Sequence, residues 1–351
     1  MDLSFYKNKT ILITGHTGFK GTWLSRILID QGAKVIGYAL EPEGEASFFA
    51  LSNNAANMTS IIGDILDLNH LKSVFETYKP DIIFHMAAQA LVRLSYVNPV
   101  ETYNVNVMGT VNIMECLRTC PTVKSFVNVT TDKVYFNQEI NYGYKEDDRL
   151  DGFDPYSNSK SCSELVTGSY RNAFFKDGDI AISTARSGNV IGGGDFAKDR
   201  IIPDCYRSAK EHKPIIVRNP NSTRPYQHVL ETLRAYLMIA QRQWEDKTLA
   251  GAYNIGPNDQ DTLMTGKLVE IFCDAWGEGS SWLVQAESNP VHEARLLQLD
   301  HTKITNTLGW EPIWDAKEAV IQSVEWYKAF IDNQDIQELL NKQIRAYFKL
   351  C

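Results

Sequence analysis

Six strand-length runs of β-branched and other apolar residues, separated by helix-length stretches, constrain this chain more than any other feature. They are residues 10–15 (TILITG), 34–40 (KVIGYAL), 58–64 (MTSIIGD), 81–88 (DIIFHMAA), 124–131 (KSFVNVTT) and 179–190 (DIAISTARSGNV). A strand that returns to the same edge of a parallel sheet needs a crossover, most often a helix, so this alternation predicts an α/β chain with a doubly wound parallel sheet. The same pattern predicts helices over 19–31, closing at Gly32, over 100–118 from Pro99, and over 155–175, opening with Asp154-Pro155. After Gly192-Gly193-Gly194 the pattern loosens into shorter strands at 214–218 and 252–257, with Pro203, Pro214, Pro220, Pro225, Pro257 and Pro290 between them. Residues 1–187 are therefore expected to hold the sheet and 188–351 a smaller, mixed α/β substrate lobe, with segments near 228–250 and 296–320 returning to the first. No flexible linker divides the two, which predicts a cleft between closely packed lobes.

Charge removes one class of partner. The chain has 43 acidic against 35 basic residues, a net charge of -8, so counterion release from a nucleic-acid backbone is a poor source of affinity. Six scattered cysteines, Cys116, Cys120, Cys162, Cys205, Cys273 and Cys351, suggest neither a disulfide framework nor a metal site. With no signal-peptide pattern and no run of eighteen apolar residues, the expectation is a cytoplasmic protein that uses no membrane.

Three motifs carry chemistry. Thr14-Gly15-His16-Thr17-Gly18-Phe19-Lys20-Gly21 follows the first strand and opens the first helix. There the glycines permit a tight turn and close backbone approach, and the helix N-terminus faces a dinucleotide pyrophosphate. Tyr156-Ser157-Asn158-Ser159-Lys160 places a phenol and an ammonium on one helix face. A phenol acting as base near neutrality must ionise about 3 pH units below its ordinary value near 10, which calls for nearby positive charge such as Lys160 and an oxidised nicotinamide. Thr130-Thr131-Asp132-Lys133 closes the fifth strand at its carboxyl end, where doubly wound folds keep their ligands.

In chain order, T-G-x-x-G-F-x-G, H-M-A-A-Q, N-V-x-G-T, T-T-D-K and Y-x-x-x-K resemble the extended short-chain dehydrogenase/reductase family. Within it, residues 16–24, the lysine of T-D-K, the stretch from Gly188 to Asp195 and Arg224-Pro225-Tyr226-Gln227-His228 resemble the CDP-glucose 4,6-dehydratases. The resemblance implies a Rossmann sheet and bound NAD, with Gly15, Gly18, Phe19 and Gly21 cradling the pyrophosphate. It places Asp64 and Ile65 at the adenine, Ala87, Ala88 and Asn106 along the cofactor channel, and Lys160 at the nicotinamide ribose. Thr131 would hold the sugar, Tyr156 would be the base at C4, Asp132 would protonate the hydroxyl leaving C6, and Lys133 would act at the C5 proton. Gln89, Arg93, Asn189, Arg200, Arg218, Arg224, His228, His292 and Glu293 would bind the nucleotide sugar.

The implied reaction converts CDP-D-glucose to CDP-4-keto-6-deoxy-D-glucose and water by oxidation at C4, elimination across C5 and C6, and hydride return to C6, in a homodimer or homotetramer. The product is a deoxysugar precursor of surface polysaccharide. NAD rather than NADP follows from the resemblance alone, since Tyr38 stands where many relatives have an acid and the nearest acid is Glu41. Spacing leaves the base open, so a GDP- or UDP-linked hexose remains an alternative. A sugar-nucleotide 4-epimerase would keep Tyr156, Lys160 and the glycine loop without needing Asp132 and Lys133 as a pair. A dinucleotide-sensing scaffold would need none of Thr131, Tyr156 and Lys160.

Overall fold

The computed structural model describes residues 1–42, 47–140, 142–285 and 296–350. Strands β1 (Thr10–Thr14), β2 (Lys34–Ala39), β3 (Thr59–Ile62), β4 (Ile82–His85), β5 (Ser125–Thr131) and β6 (Ala181–Ser187) fall where the six apolar runs predict them. They form one parallel sheet with a seventh strand, Ala252–Ile255, which pairs with β6 at the edge. That strand was expected in the smaller lobe. Its strand character is legible, but nothing in its four residues says which sheet they join; Tyr253 and Ile255 are buried, and pairing with β6 satisfies its backbone.

Alternation along each strand feeds two cores. Ile11 and Ile13 of β1, Ile82 and Phe84 of β4, and Val127 and Val129 of β5 face the helices Phe19–Asp30 and Val229–Glu245. Leu12, Ile83 and Phe126 face the helix Leu68–Tyr78 and the second half of the helix over 99–118. The first core continues without a break into the smaller lobe, through Ile202 and Tyr206 to Trp326 and Tyr327. Helix Val229–Glu245 is tied to the sheet by Ser125 Oγ donating to the Ala240 carbonyl and by Gln243 Nε2 donating back to Ser125 Oγ.

Two local features position the site. The helix Phe19–Asp30 ends in Gly32 at φ +73°, the left-handed position that favours glycine. The long helix expected from Pro99 is α-helical at Pro99–Tyr103, takes a π turn at Asn104–Met108, and resumes as Gly109–Arg118. Such turns re-aim side chains within a helix, and Asn106 lies in this one.

Candidate active site

The sheet order reverses between β1 and β4, where a doubly wound fold opens a crevice at the carboxyl ends of its strands. The loops after these two strands touch there. Gly15 has φ +78°, and a Cβ on it would come within 2.9 Å of the Ala87 nitrogen. A Cβ on Gly21 would fall 2.2 Å from the Gly15 carbonyl oxygen. Backbone therefore rests on backbone, and Gly18 opens the helix with no side-chain cap, leaving its N-terminus facing a cleft of about 1880 Å³. An uncapped helix start beside a glycine cradle fits a dinucleotide pyrophosphate.

Gly15, Gly18, Phe19, Gly21, Asp64, Ile65, Ala87 and Ala88 all line this cleft. Asp64 Oδ1 accepts from the Leu66 backbone, and its carbonyl accepts from Tyr38, whose buried ring occupies the end of β2. Asn106 does not line the cleft. Its amide is used in holding the wall: Oδ1 accepts from Gln89 N at 2.9 Å, and Nδ2 donates to the Gln89 carbonyl and to Ser159 Oγ. The Gln89 side chain folds back on its own loop, bonded to Leu91 and Thr102.

The groups that the sequence points to for proton transfer meet at the end of β5. Asp154 caps the helix Pro155–Phe174 by accepting from Ser157 N, and this fixes the first turn that carries Tyr156. Lys160, one turn on, donates to the Val129 carbonyl at 3.0 Å. Burial first, and then the charge of Lys20, pulls Lys160 down to about 8, against an opposing pull from Glu164. Tyr156 is pushed up to about 12, chiefly by desolvation; the hydrogen bond with Thr131 and the charge of Arg200 act the other way. The offsetting cation in this state is thus Arg200, whereas the sequence pointed to Lys160.

Thr131 Oγ1 donates to Asp132 Oδ1 at 2.9 Å, and Lys133 Nζ lies 3.3 Å from the same oxygen and 3.5 Å from Asn189 Oδ1. Thr131, Lys133 and Asn189 line the cleft, while Asp132 is wholly buried just beneath its floor. Its Oδ2 has no partner among the described residues. That oxygen has room because residue 188 is glycine; a Cβ there would stand 3.2 Å from it. An orphaned buried carboxylate oxygen is costly unless a ligand or a proton completes it.

Arg93, Arg200, Arg218 and Arg224 line the cleft. Arg200 is paired with Asp195 at 2.9 Å, and Arg224 is buried with NH1 donating to the Thr223 carbonyl. His228 is a correction. It is fully buried outside the cleft lining, its Nδ1 caps the helix Val229–Glu245 by accepting from Leu230 N, and burial pulls it down to about 3. Its place in the run Arg224–His228 suggested a ligand contact, but its ring packs inward beside Trp23 and Trp314. His292 and Glu293 lie outside the described residues.

Sequence reasoning missed two contributors. Lys20 of the glycine loop reaches Ser187 Oγ and the Tyr236 hydroxyl, both at 3.2 Å, and so brings a second cation near Lys160. Thr14 Oγ1 accepts from Met86 N and Ala87 N and bonds His85 Nδ1 at 2.8 Å, which clamps the β4 loop against β1. Both residues stand inside quoted motifs, but spacing does not say where their side chains point. Among the described residues no group of three metal-ligating side chains occurs, and no helix is long and apolar enough to cross a membrane.

Residues 12–322 match the family described as GDP-mannose 4,6 dehydratase. The CDP-glucose 4,6-dehydratase of Salmonella typhimurium is 44% identical, over 99% of this chain and 98% of that one. The dTDP-D-glucose 4,6-dehydratase of Bos taurus is 27% identical over 93% and 90%. Among solved structures, the UDP-glucose 4-epimerase of Thermotoga maritima superposes with a TM-score of 0.80 at 21% identity, covering 92% and 99% of the two chains. The dTDP-glucose 4,6-dehydratase of Bacillus anthracis, solved with NAD, gives 0.78 at 21%, covering 94% and 99%. Those structural likenesses concern the fold. The sequence match, spanning both the glycine loop and the Tyr156–Lys160 helix, places this chain in the GDP-mannose 4,6 dehydratase family of extended short-chain dehydrogenases/reductases.

Proposed function

We propose that this protein is an NAD-dependent nucleotide-hexose 4,6-dehydratase whose substrate is CDP-D-glucose and whose product is CDP-4-keto-6-deoxy-D-glucose. The carrying observation is Asp132, buried with one oxygen unpartnered and the Lys133 ammonium 3.3 Å from the other, next to Thr131 and Tyr156. An epimerase has no use for that pair. The 44% identity to a CDP-glucose 4,6-dehydratase across nearly the whole chain supports the choice of base and sugar.

NAD, when bound, supplies the acceptor and later the donor of one hydride. Gly15, Gly18, Phe19 and Gly21 would hold its pyrophosphate, Asp64 and Ile65 its adenosine end, and Ala87, Ala88 and Lys160 its nicotinamide end. Tyr156, as the phenolate that the positive charges of Arg200, Lys160 and bound NAD would favour, takes the proton of the C4 hydroxyl. The C4 ketone acidifies C5; once Lys133 has passed a proton to Asp132 across their 3.3 Å contact, the neutral amine removes the C5 proton and the protonated Asp132 delivers its own to the C6 oxygen, which leaves as water. Arg93, Arg200, Arg218 and Arg224 suit a diphosphate through their forked donors, with Asn189 at the sugar end beside Lys133.

The assembly is a homodimer or homotetramer in the cytoplasm, paired through the helices over 99–118 and Pro155–Phe174, where Val100, Met108, Leu165 and Phe174 are exposed. Light scattering on the purified protein reads the assembly. Product masses from CDP-, GDP-, UDP- and dTDP-glucose test the reaction: loss of one water from CDP-glucose is expected. A product that keeps its C6 oxygen and changes configuration at C4 makes the protein an epimerase, and turnover of another nucleotide sugar in its place retires the CDP assignment.

A further inference from the structure

Two anchors of different permanence hold the arginines of the cleft. Arg200 is tied to Asp195, whose side chain is only 5% exposed and whose carboxylate also accepts from Ala197 N. Arg93 and Arg218 share a looser partner. Arg93 belongs to the helix Val92–Val97 after β4, and Arg218 follows the strand Ile215–Val217 of the smaller lobe. Asp199 stands between them: Arg93 Nε is 3.7 Å away and NH1 and NH2 of Arg218 are each 3.1 Å away, all from the same oxygen, Oδ1.

That arrangement is an unusual thing to find where a diphosphate has to bind. Asp199 lines the cleft with both arginines, its side chain is 46% exposed, and its backbone takes φ +61°. A non-glycine residue there is uncommon, and such conformations collect at ligand sites. Arg218, which also lies 3.9 Å from Asp204 Oδ2, sets NH1 and NH2 on the single oxygen of Asp199 that Arg93 also faces, and an exposed ion pair contributes only about 0–1 kcal/mol. A diphosphate brings more charge and enough oxygens to give each guanidinium its own pair.

We propose that Asp199 is an internal stand-in for the diphosphate, clasping Arg93 and Arg218 across the cleft in the ligand-free protein and surrendering both when a nucleoside diphosphate enters. The inference rests on the diphosphate reading of the cleft given above. Asp199 keeps the two arginines aimed into the cleft, and a ligand that engages them must out-compete it. Anions weaker than a diphosphate are therefore selected against.

Calorimetric titration of the protein with its bound dinucleotide, using CDP and cytidine as probes, tests this. Asp199→Asn is expected to tighten CDP three- to tenfold and leave cytidine unchanged. In an Arg218→Ala background, where CDP binds more weakly, the same change should give a smaller gain, since the two sites are coupled. Unchanged or weaker CDP binding in Asp199→Asn overturns the stand-in role, as does equal tightening of cytidine. If Arg93→Ala and Arg218→Ala both leave CDP binding untouched, it is the diphosphate reading that fails, and the stand-in falls with it.

Discussion

Glu164 and Arg186 form an ion pair at 2.9 Å with both side chains buried, and through it the helix that carries Tyr156 and Lys160 is bolted to β6, the sheet neighbour of the strand that carries Thr131. Glu164 also accepts from the hydroxyls of Thr130 and Thr184, while Arg186 NH1 donates to the Tyr135 hydroxyl and the Glu146 carbonyl. Replacing Arg186 by Leu leaves a buried, uncompensated carboxylate, which costs about 3–5 kcal/mol. Thermal unfolding should therefore show a loss of roughly 2–4 °C per kcal/mol, and a midpoint within 2 °C of the wild type would contradict the pair's structural role.

The three proton-transfer groups should separate by step. Tyr156→Phe keeps the ring and removes the hydroxyl, so turnover of CDP-glucose is expected to fall about 10²-fold or more with CDP affinity nearly kept. Lys133→Met should still oxidise C4 yet exchange little solvent deuterium into C5. Asp132→Asn should exchange C5 and stall before water loss, because the amide still accepts from Thr131 and Lys133. Equal loss of C4 oxidation in the last two variants would mean that both position the sugar instead.

Acid sensitivity follows from buried imidazoles. Burial pulls His85 and His228 down to about 3, and both hold themselves neutral in the fold while the unfolded chain protonates them near 6.5. The unfolded state thus binds more protons between those values, so stability is full above pH 6.5 and is lost as pH falls below it. Each group contributes up to about 1.4 kcal/mol per pH unit. His228→Asn retains a cap acceptor for Leu230 N and should flatten the fall of the denaturation midpoint between pH 6.5 and 5; an unaltered slope would show that His228 does not titrate on unfolding.

Gly21→Ala tests the cradle without touching a charged group. Its Cβ would sit 2.2 Å from the Gly15 carbonyl oxygen, so the loop must move off the helix. The variant should purify with little dinucleotide while keeping the wild-type far-ultraviolet spectrum. Mass analysis of the nucleotide released on denaturation reads the result, and full occupancy would show that the loop is not the pyrophosphate site.

What the sequence discloses depends on how local the cause is. β1 to β6 and the glycine loop are legible because β-branched runs and a positive-φ glycine declare themselves within a few residues. Ala252–Ile255 is legible as a strand, but its place beside β6 is not, since that is settled by long-range pairing and packing. The motif Arg224–His228 shows the same limit at the level of single side chains: Arg224 lines the cleft and His228 is buried in the core, in two separate short strands with different partners. In Lys198-Asp199-Arg200 the arginine drew notice as an anion ligand, but the acid beside it was silent, because nothing local reveals that it meets Arg93 and Arg218.

The edge strand Ala252–Ile255 has a consequence for how the protein is made. A ribosome delivers β6 well before its outer neighbour, so the nascent chain carries a bare row of backbone donors and acceptors while the intervening helices are synthesised. A chain cut short within that interval would keep the β6 edge unpaired and prone to associate, in place of a self-sufficient nucleotide-binding unit.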